Sequence, residues 1–532
     1  MKRKDIVPAL LIGVGLMTLS GCGGAKETVS PPATESSVSE SINTTEENMS
    51  KEKNYDKLIT VDFENRVTTN NGEFEGFGTA LCWWANRIGM SEKLVNDSAK
   101  LFYSSEGLDF NILRYNIGGG DDPTHNHIKR SDSNMPGFLY PDGNGGYKYD
   151  FEADYRQLNV LKKCYEAATD PYVEVFSNSA PYFMTISGCT GGAENPSENN
   201  LKPECYEDFA EYLAVVSEYI NNDLGIKVKS VSPINEPDTN YWGAMSEKQE
   251  GAHMDPGEAQ SKIIVDTRKA FDAHSLNDVI VAASDETSTA SAMNSYQKYS
   301  DEAKEALGRL STHTYITSAI KSLGALREKE GFNMWMSEVD GDGSVGTDSG
   351  EMGSALWMAE KIITDINDLK PSAWVMWQVI NSFISKDGFN GNPDSGMVDV
   401  NKGFWGATVA DCDKEEIILT QKYYAIGQFS RYIRPGSTLI ITDSENSLAS
   451  YDKNTGTLTI VAVNDKKEDK TFSFDIKGFD IKGNVNVIRT SGSIENGEHW
   501  DEVDNFKFDG ELNYNLPTYS ITTFVIDGVK LN

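Results

Sequence analysis

The rhythm of apolar and polar positions changes twice along this chain. From about residue 74 to 432, short apolar runs alternate with longer stretches whose apolar residues recur at helical spacing, the mark of repeated strand and helix units. The runs that read as strands are GFGTALCWW, FNILRYNIGGG, YVEVFSNSAP, KVKSVSPINEP, DVIVAASDET, LSTHTY, FNMWMSEV and SAWVMWQVI. YEDFAEYLAVVSEYINND, GEAQSKIIVDTRKAFDAH, EMGSALWMAEKIITDINDL and QKYYAIGQFSRYI read as amphipathic helices. Eight such strands over roughly 360 residues predict a (β/α)8 barrel of the TIM type, an α/β fold, rather than an open doubly wound sheet with its Gly-rich first turn.

After Arg434-Pro435-Gly436-Ser437 the period drops to two, in TLIIT, SLASYD, TLTIVAVND, KTFSFDI, NVNVIRT, NFKFDGEL and YSITTFVID, which predicts an appended β-sandwich. LITVDFENRVTT, ahead of the barrel, is expected to add one or two strands to it. The expected organisation is therefore 56–73 joining the sandwich, 74–433 the barrel and 434–532 the sandwich. Two polar insertions interrupt the barrel pattern, one from the triple glycine to KYD after the second strand and one over 241–256 after the fourth. Both are expected on the carboxyl-end face, where a barrel builds its active site.

The first residues follow neither rhythm. MKRK, an apolar IVPALLIGVGLMTL too short to span a bilayer comfortably, and Leu19-Ser20-Gly21-Cys22 read as a bacterial lipoprotein signal, 1–21, with lipidation at Cys22. A Ser/Thr/Glu-rich stretch, 22–55, reads as a flexible tether. The expected location is thus the outer face of a bacterial cell membrane, held by lipid.

A net charge of -33 argues against nucleic acid or an anionic membrane surface as the main partner and suits a neutral polysaccharide or oligosaccharide. Cys189 and Cys205 are near enough in sequence for a bridge, whereas Cys82, Cys164 and Cys412 stand apart. His125 and His127 have the spacing of a metal pair but no third ligand close by in sequence, so no metal site and no cofactor is expected.

In a barrel the carboxyl ends of several strands converge on one point. Here those ends offer Trp83 and Trp84, Arg114 with Asn116, Asn178, Asn235 with Glu236, Asp285 with Glu286, His313 with Tyr315, Glu338, and Trp377 with Gln378. Glu236 and Glu338 each close an apolar run, and their separation of 338 − 236 = 102 residues is about three strand and helix units. That places them on the fourth and seventh strands, facing each other across the barrel mouth. Two carboxyl groups in one aromatic-lined cleft are what glycoside hydrolysis needs: one held protonated by its surroundings, one kept ionised by donors such as Arg114 and Tyr315. Asp122 and Glu286 are further candidates for substrate contact, and His274 is expected to end a helix.

GFGTALCWWA, LRYNIGGGD, SNSAPYFMTISGCTGG, SPINEPDTNYW followed by QEG, SDET, STHTY and SEVDGDG together resemble glycoside hydrolase family 30 of clan A, most closely its β-1,6-galactanase branch, from about residue 57 to the end. The resemblance implies a retaining hydrolase with Glu236 as acid/base and Glu338 as nucleophile. It implies Asn235 on the sugar 2-hydroxyl, Arg114 and Tyr315 orienting Glu338, and Trp84, Trp242 and Trp377 presenting faces to sugar rings. Asn178 and His313 complete the expected substrate-binding set. The alternatives within the family are a β-1,6-glucanase or an enzyme acting on β-glucosides or glucosylceramide. A lipoprotein that only binds glycans is a third reading, which two glutamates matched as acid and nucleophile argue against.

Overall fold

The computed structural model describes residues 55–341, 350–389 and 405–532. The expected signal peptide, most of the tether and Cys22 lie outside the described residues. Among the described residues no helix is long and apolar enough to cross a membrane.

The eight strands anticipated from the apolar runs close into one parallel barrel, each beside its chain neighbour and the last beside the first. They are Gly76–Ala80, Ile112–Asn116, Tyr172–Phe176, Val228–Ser232, Ile280–Ser288, Arg309–Ile316, Met334–Glu338 and Ala373–Gln378. These strands are covered on both faces, by helices outside and by packed side chains inside, and so read as continuous apolar runs. The helix Tyr206–Asn222 shows the outer layer: Phe209, Leu213, Val216 and Ile220 form its buried stripe against the barrel. Helix Ile320–Glu330 stops where Gly331 turns left-handed with φ 78°, a conformation that glycine adopts without strain.

The carboxyl-terminal strands form a sandwich of a six-stranded and a three-stranded sheet. The early strand Lys57–Asp62 runs parallel to Lys470–Lys477, which pairs with Leu512–Leu516, so the two ends of the folded chain share one sheet. Ile59 and Val61 enter a core with Phe472, Phe474, Leu512 and Phe524. The other sheet faces the barrel through helix Gln421–Ser430, where Thr523 donates to the Gln428 carbonyl at 2.9 Å.

Two features depart from the sequence pattern. NFKFDGEL, read as one strand, is cut by a turn at Gly510, φ 107°; its first part belongs to a long edge strand, Glu498–Lys507, and its last to Leu512–Leu516. That edge strand is largely solvated on both faces and carries no period-two signal. A small sheet of Ile380–Ile384, Thr408–Asp411 and Glu416–Leu419 follows the eighth barrel strand, and strands of four or five residues are too short for periodicity to register.

Ile59 tests the closure of the sandwich by the early strand. Ile59→Ala should lower the free energy of unfolding by about 2–4 kcal/mol, the usual cost of emptying an aliphatic core site. An unchanged denaturation midpoint would mean that this strand does not hold the sheet.

Candidate active site

The barrel interior carries a charged column. At its amino-end side Arg309 pairs with Glu174, which also accepts from Ser230 at 2.8 Å, while Arg309 lies over the Trp335 ring at 3.5 Å. Above it Arg114, fully buried and stacked 3.8 Å over Phe176, donates to three carboxylates: Glu174 at 3.2 Å, Asp285 at 2.8 Å and Glu338 at 2.9 Å. Burial alone would push the guanidinium towards losing its proton, but the three anions outweigh it and hold the group firmly charged. Asp285 is pushed up by burial, yet Arg114, His313 and the Ser232 and Ser337 hydroxyls hold it below the usual carboxylate range.

Glu338, the last residue of the seventh strand, accepts from Arg114 and from the Tyr315 hydroxyl at 3.1 Å. Glu236 follows the fourth strand and accepts from the Tyr241 hydroxyl at 2.5 Å. His313 lies beneath both, its Nδ1 3.0 Å from Glu236 Oε1 and 3.5 Å from Glu338 Oε1. An oxygen of Glu236 and an oxygen of Glu338 stand within 4.8 Å of each other. Burial and the neighbouring Glu236 push Glu338 up, against the pull of His313 and Arg114. Burial also raises Glu236, but the His313 hydrogen bond and charge, with Thr287 and Tyr241, bring it down. The His313 ring is disfavoured as a cation by burial and favoured by Glu338 and Glu236, with the net shift upward.

Glu236 is held in a left-handed backbone conformation, φ 48°, and Asp285 in another, φ 53°; the Glu236 N–H donates to the Asp285 carbonyl at 2.8 Å. Such strain persists only where the surroundings over-determine it. Here the Trp242 indole donates to the Glu236 carbonyl at 3.0 Å, so one hydrogen bond fixes both the Glu236 backbone and an aromatic wall.

These groups open into a cleft of about 220 Å³ with Trp242, Trp377, Trp405, Tyr315, Tyr241 and Asn235 in its walls. Among the described residues Asn235 Oδ1 has no hydrogen-bond partner although it is buried. The mostly aromatic walls and few polar tips match the two faces of a sugar ring, whose C–H patches stack on indoles while its hydroxyls seek donors and acceptors.

Of the residues anticipated from sequence, Glu236, Glu338, Asn235, Tyr315, Trp242 and Trp377 meet at this cleft. Trp84 does not: a helix begins at Trp84 immediately past the first strand, turning its ring into the core against Phe102, with its indole on the Ala80 carbonyl. Its neighbour Trp83 is the one that meets Trp377, edge to face at 5.2 Å. Arg114 and His313 are sealed beneath the carboxylates, out of a substrate's reach. Glu286 points behind the mouth, accepting from Ser295, Gln260 and the Asp238 N–H, and burial pushes it up to about 8, so it orders a loop as a neutral acid. Asp122 is spent on its own turn, accepting from the Thr124 N–H and hydroxyl. Asn178 is buried two residues past the third strand, with neither amide atom partnered among the described residues. His274 caps the end of helix Glu258–Ala273, between Glu211 and Glu218.

Sequence reasoning missed Tyr241, about half exposed beside Glu236, and Trp405, which stacks on Tyr315 at 5.7 Å and 14°. Tyr241 opens the insertion over 241–256 and Trp405 lies in the connection before the strand Thr408–Asp411, where no periodicity points inward. It also missed Glu250, whose carboxyl accepts from the Gly119 and Gly120 N–H groups at 3.2 and 3.1 Å and so joins the two insertions. Cys189 and Cys205 are both free thiols, not a bridge.

A family model described as O-Glycosyl hydrolase family 30 matches residues 60–326. The chain is 26% identical over 499 residues to an endo-beta-1,6-galactanase of Hypocrea rufa, covering 90% of this chain and 96% of that protein. It is also 26% identical over 529 residues to an exo-beta-1,6-galactobiohydrolase of Bifidobacterium longum subsp. longum, covering 76% of this chain and 34% of that protein. The chain thus spans about a third of the second relative. Among solved structures, a conserved exported protein from Bacteroides fragilis superposes with a TM-score of 0.71 at 20% identity, covering 88% of this chain and 100% of that one, a likeness of fold.

Gly251 lies under Trp242: a Cβ there would stand 2.3 Å from two carbons of the indole. Gly251→Ala should therefore shift Trp242 and the Glu236 carbonyl it holds. We expect a loss of about 10- to 100-fold in kcat/KM on a glycoside substrate with the far-UV circular dichroism unchanged. Full activity would mean that the wall adapts without moving the acid.

Proposed function

The chain belongs to O-glycosyl hydrolase family 30, and on that premise we propose that it cleaves β-1,6-linked galactan, the side chains of arabinogalactan, outside the cell with retention of configuration. The observation that carries retention is the spacing of the two carboxyl groups. Oxygens within 4.8 Å of each other fit the roughly 5–5.5 Å separation of a double displacement and leave no room for the water an inverting enzyme places between them. The galactan reading is supported by the names of the two characterised relatives.

In the first step Glu338 attacks the anomeric carbon. Arg114 and Tyr315 point its oxygens and favour its charge, while Glu236 passes a proton to the departing sugar oxygen. In the second, Glu236 takes a proton from water, which displaces Glu338 and frees the sugar. The proton for the first step is held by the His313 and Glu236 pair. With Arg114 and Arg309 balanced by Glu174 and Asp285, the mouth carries Glu338 as an anion and one proton shared across the 3.0 Å contact. A sugar that fills the cleft excludes water, and a neutral imidazole with a neutral acid is then favoured over the ion pair, which puts the proton on Glu236. Asn235, whose Oδ1 has no partner among the described residues, is the acceptor for a ring hydroxyl. The Leu19-Ser20-Gly21-Cys22 motif supports lipid anchoring through Cys22, with the stretch 22–55 as tether.

Purified enzyme should release sugar from β-1,6-galactan and not from β-1,6-glucan, and Glu338→Gln should lower kcat on the order of 10⁴-fold. Equal turnover by the variant would remove the nucleophile assignment. Preference for the glucan or for a small β-glucoside would replace galactan with that substrate.

The pH profile follows from the same groups. Glu338 must be ionised, and because it is raised, the acid limb should lie above the ordinary carboxylate value of about 4.3. Activity should fall again as pH rises through the raised His313 value, above about 6.5, where the pair loses its proton. His313→Gln should lower kcat and move the basic limb to lower pH, into the carboxyl range; an unmoved limb would place the proton elsewhere.

A further inference from the structure

Beside the cleft, two loops bring Asp121, His125, His127 and Cys189 together, with one ligand atom from each within 4.8 Å of all the others. We propose that these four side chains form a structural zinc site that staples the walls of the cleft.

The hydrogen bonds of the cluster carry the inference. His127 Nδ1 faces the carbonyl oxygen of Ser246, an acceptor only, so this nitrogen donates and the Nδ1 proton is committed there. In the neutral ring the lone pair on Nε2 then points at Asp121 Oδ2, 2.7 Å away, and at Cys189 Sγ, 3.3 Å away. His125 Nδ1 meets the same Asp121 oxygen at 3.1 Å. Electron-pair donors thus converge on one point, and a cation at that point satisfies all of them. Asp121 and Cys189, like His127, are also aimed by further hydrogen bonds. Asp121 Oδ1 accepts from the Thr190 N–H at 3.0 Å, and Cys189 Sγ accepts from the Gly191 and Met245 N–H groups at 3.3 and 3.4 Å. Outer hydrogen bonds of this kind orient metal ligands and set the histidine tautomer.

The ligand set selects the ion. One thiolate, two imidazoles and one carboxylate suit zinc rather than magnesium or calcium. Bonds of about 2.0–2.3 Å in a tetrahedron separate ligand atoms by roughly 3.4 Å, so the contacts in the cluster need to open by less than about 1 Å. Cys189 and His127 are buried while His125 is partly exposed, which leaves a route in from solvent. Four protein ligands make a closed site, so the ion holds structure and takes no part in bond cleavage.

What it holds follows from where the ligands sit. Asp121, His125 and His127 belong to the insertion after the second strand, Cys189 to the loop after the third, and Ser246 and Met245 to the insertion that carries Tyr241 and Trp242. The ion would fix these loops to one another, and with them Trp242 and the Glu236 carbonyl it binds.

The test uses the untagged full chain, loaded with ZnCl₂, dialysed and measured by inductively coupled plasma mass spectrometry. We expect one zinc per chain in the wild type and far less in Cys189→Ser and His127→Ala. Because these variants could fold poorly, the wild type is also loaded with CoCl₂, which should give a thiolate-to-cobalt charge-transfer band and the visible bands of tetrahedral cobalt. A chelator should lower the melting temperature of the wild type and leave that of Cys189→Ser unchanged. A wild type that takes up no zinc and melts identically in chelator makes the cluster a hydrogen-bonded ion pair and overturns the proposal. So does a cobalt spectrum without the thiolate band. All of these readouts are independent of which sugar the enzyme cleaves.

Discussion

The structure turns on Arg114. A guanidinium in the middle of a barrel, away from water, is tolerable only if anions surround it, and here Glu174, Asp285 and Glu338 do so from three different strands. Removing one partner of such a buried set costs roughly 3–5 kcal/mol, because the remaining charges lose their counterpart without regaining water. The arrangement therefore does more than keep Glu338 ionised. It clamps the second, third, fifth and seventh strands to a common point, so the geometry of the mouth is inherited from the interior.

The mouth itself is held by backbone strain and loop contacts. Glu236 and Asp285 both occupy left-handed conformations and are tied by one backbone hydrogen bond, which aims the Glu236 carboxyl across the opening at Glu338. Around them the two insertions are joined through Glu250, a buried carboxyl pushed up to about 8 that accepts from two glycine N–H groups. The two carboxyl groups, Tyr315 and Trp377 rest on strands or their ends, whereas Tyr241, Trp242 and Trp405 rest on loops, which must be pinned for that part of the wall to have a shape.

The barrel was legible because its strands are buried on both faces and its helices on one, so each leaves a periodic trace in the chain. The pairing of Glu236 with Glu338 at one cleft was legible because each carboxylate closes an apolar run and the two stand at barrel spacing. The short sheet after the eighth strand and the exposed edge strand Glu498–Lys507 left no such trace. Trp84 shows the limit of position as a guide. It lies at a strand end like Trp377, but the chain turns into a helix there, and one residue decides whether a ring faces the cleft or the core.

The sequence by itself determined the fold class, the two glutamates and the composition of an aromatic, polar-tipped cleft, because these depend on local patterning and on residue type. Tertiary structure alone decided that Arg114 and His313 lie buried beneath the carboxylates rather than in the cleft, and that Tyr241 and Trp405 line the cleft. It also brought Asp121 and Cys189 to the pair His125 and His127. Those contacts join residues up to 224 positions apart, as between Arg114 and Glu338, and a burial or a meeting of that kind exists only once the barrel has closed.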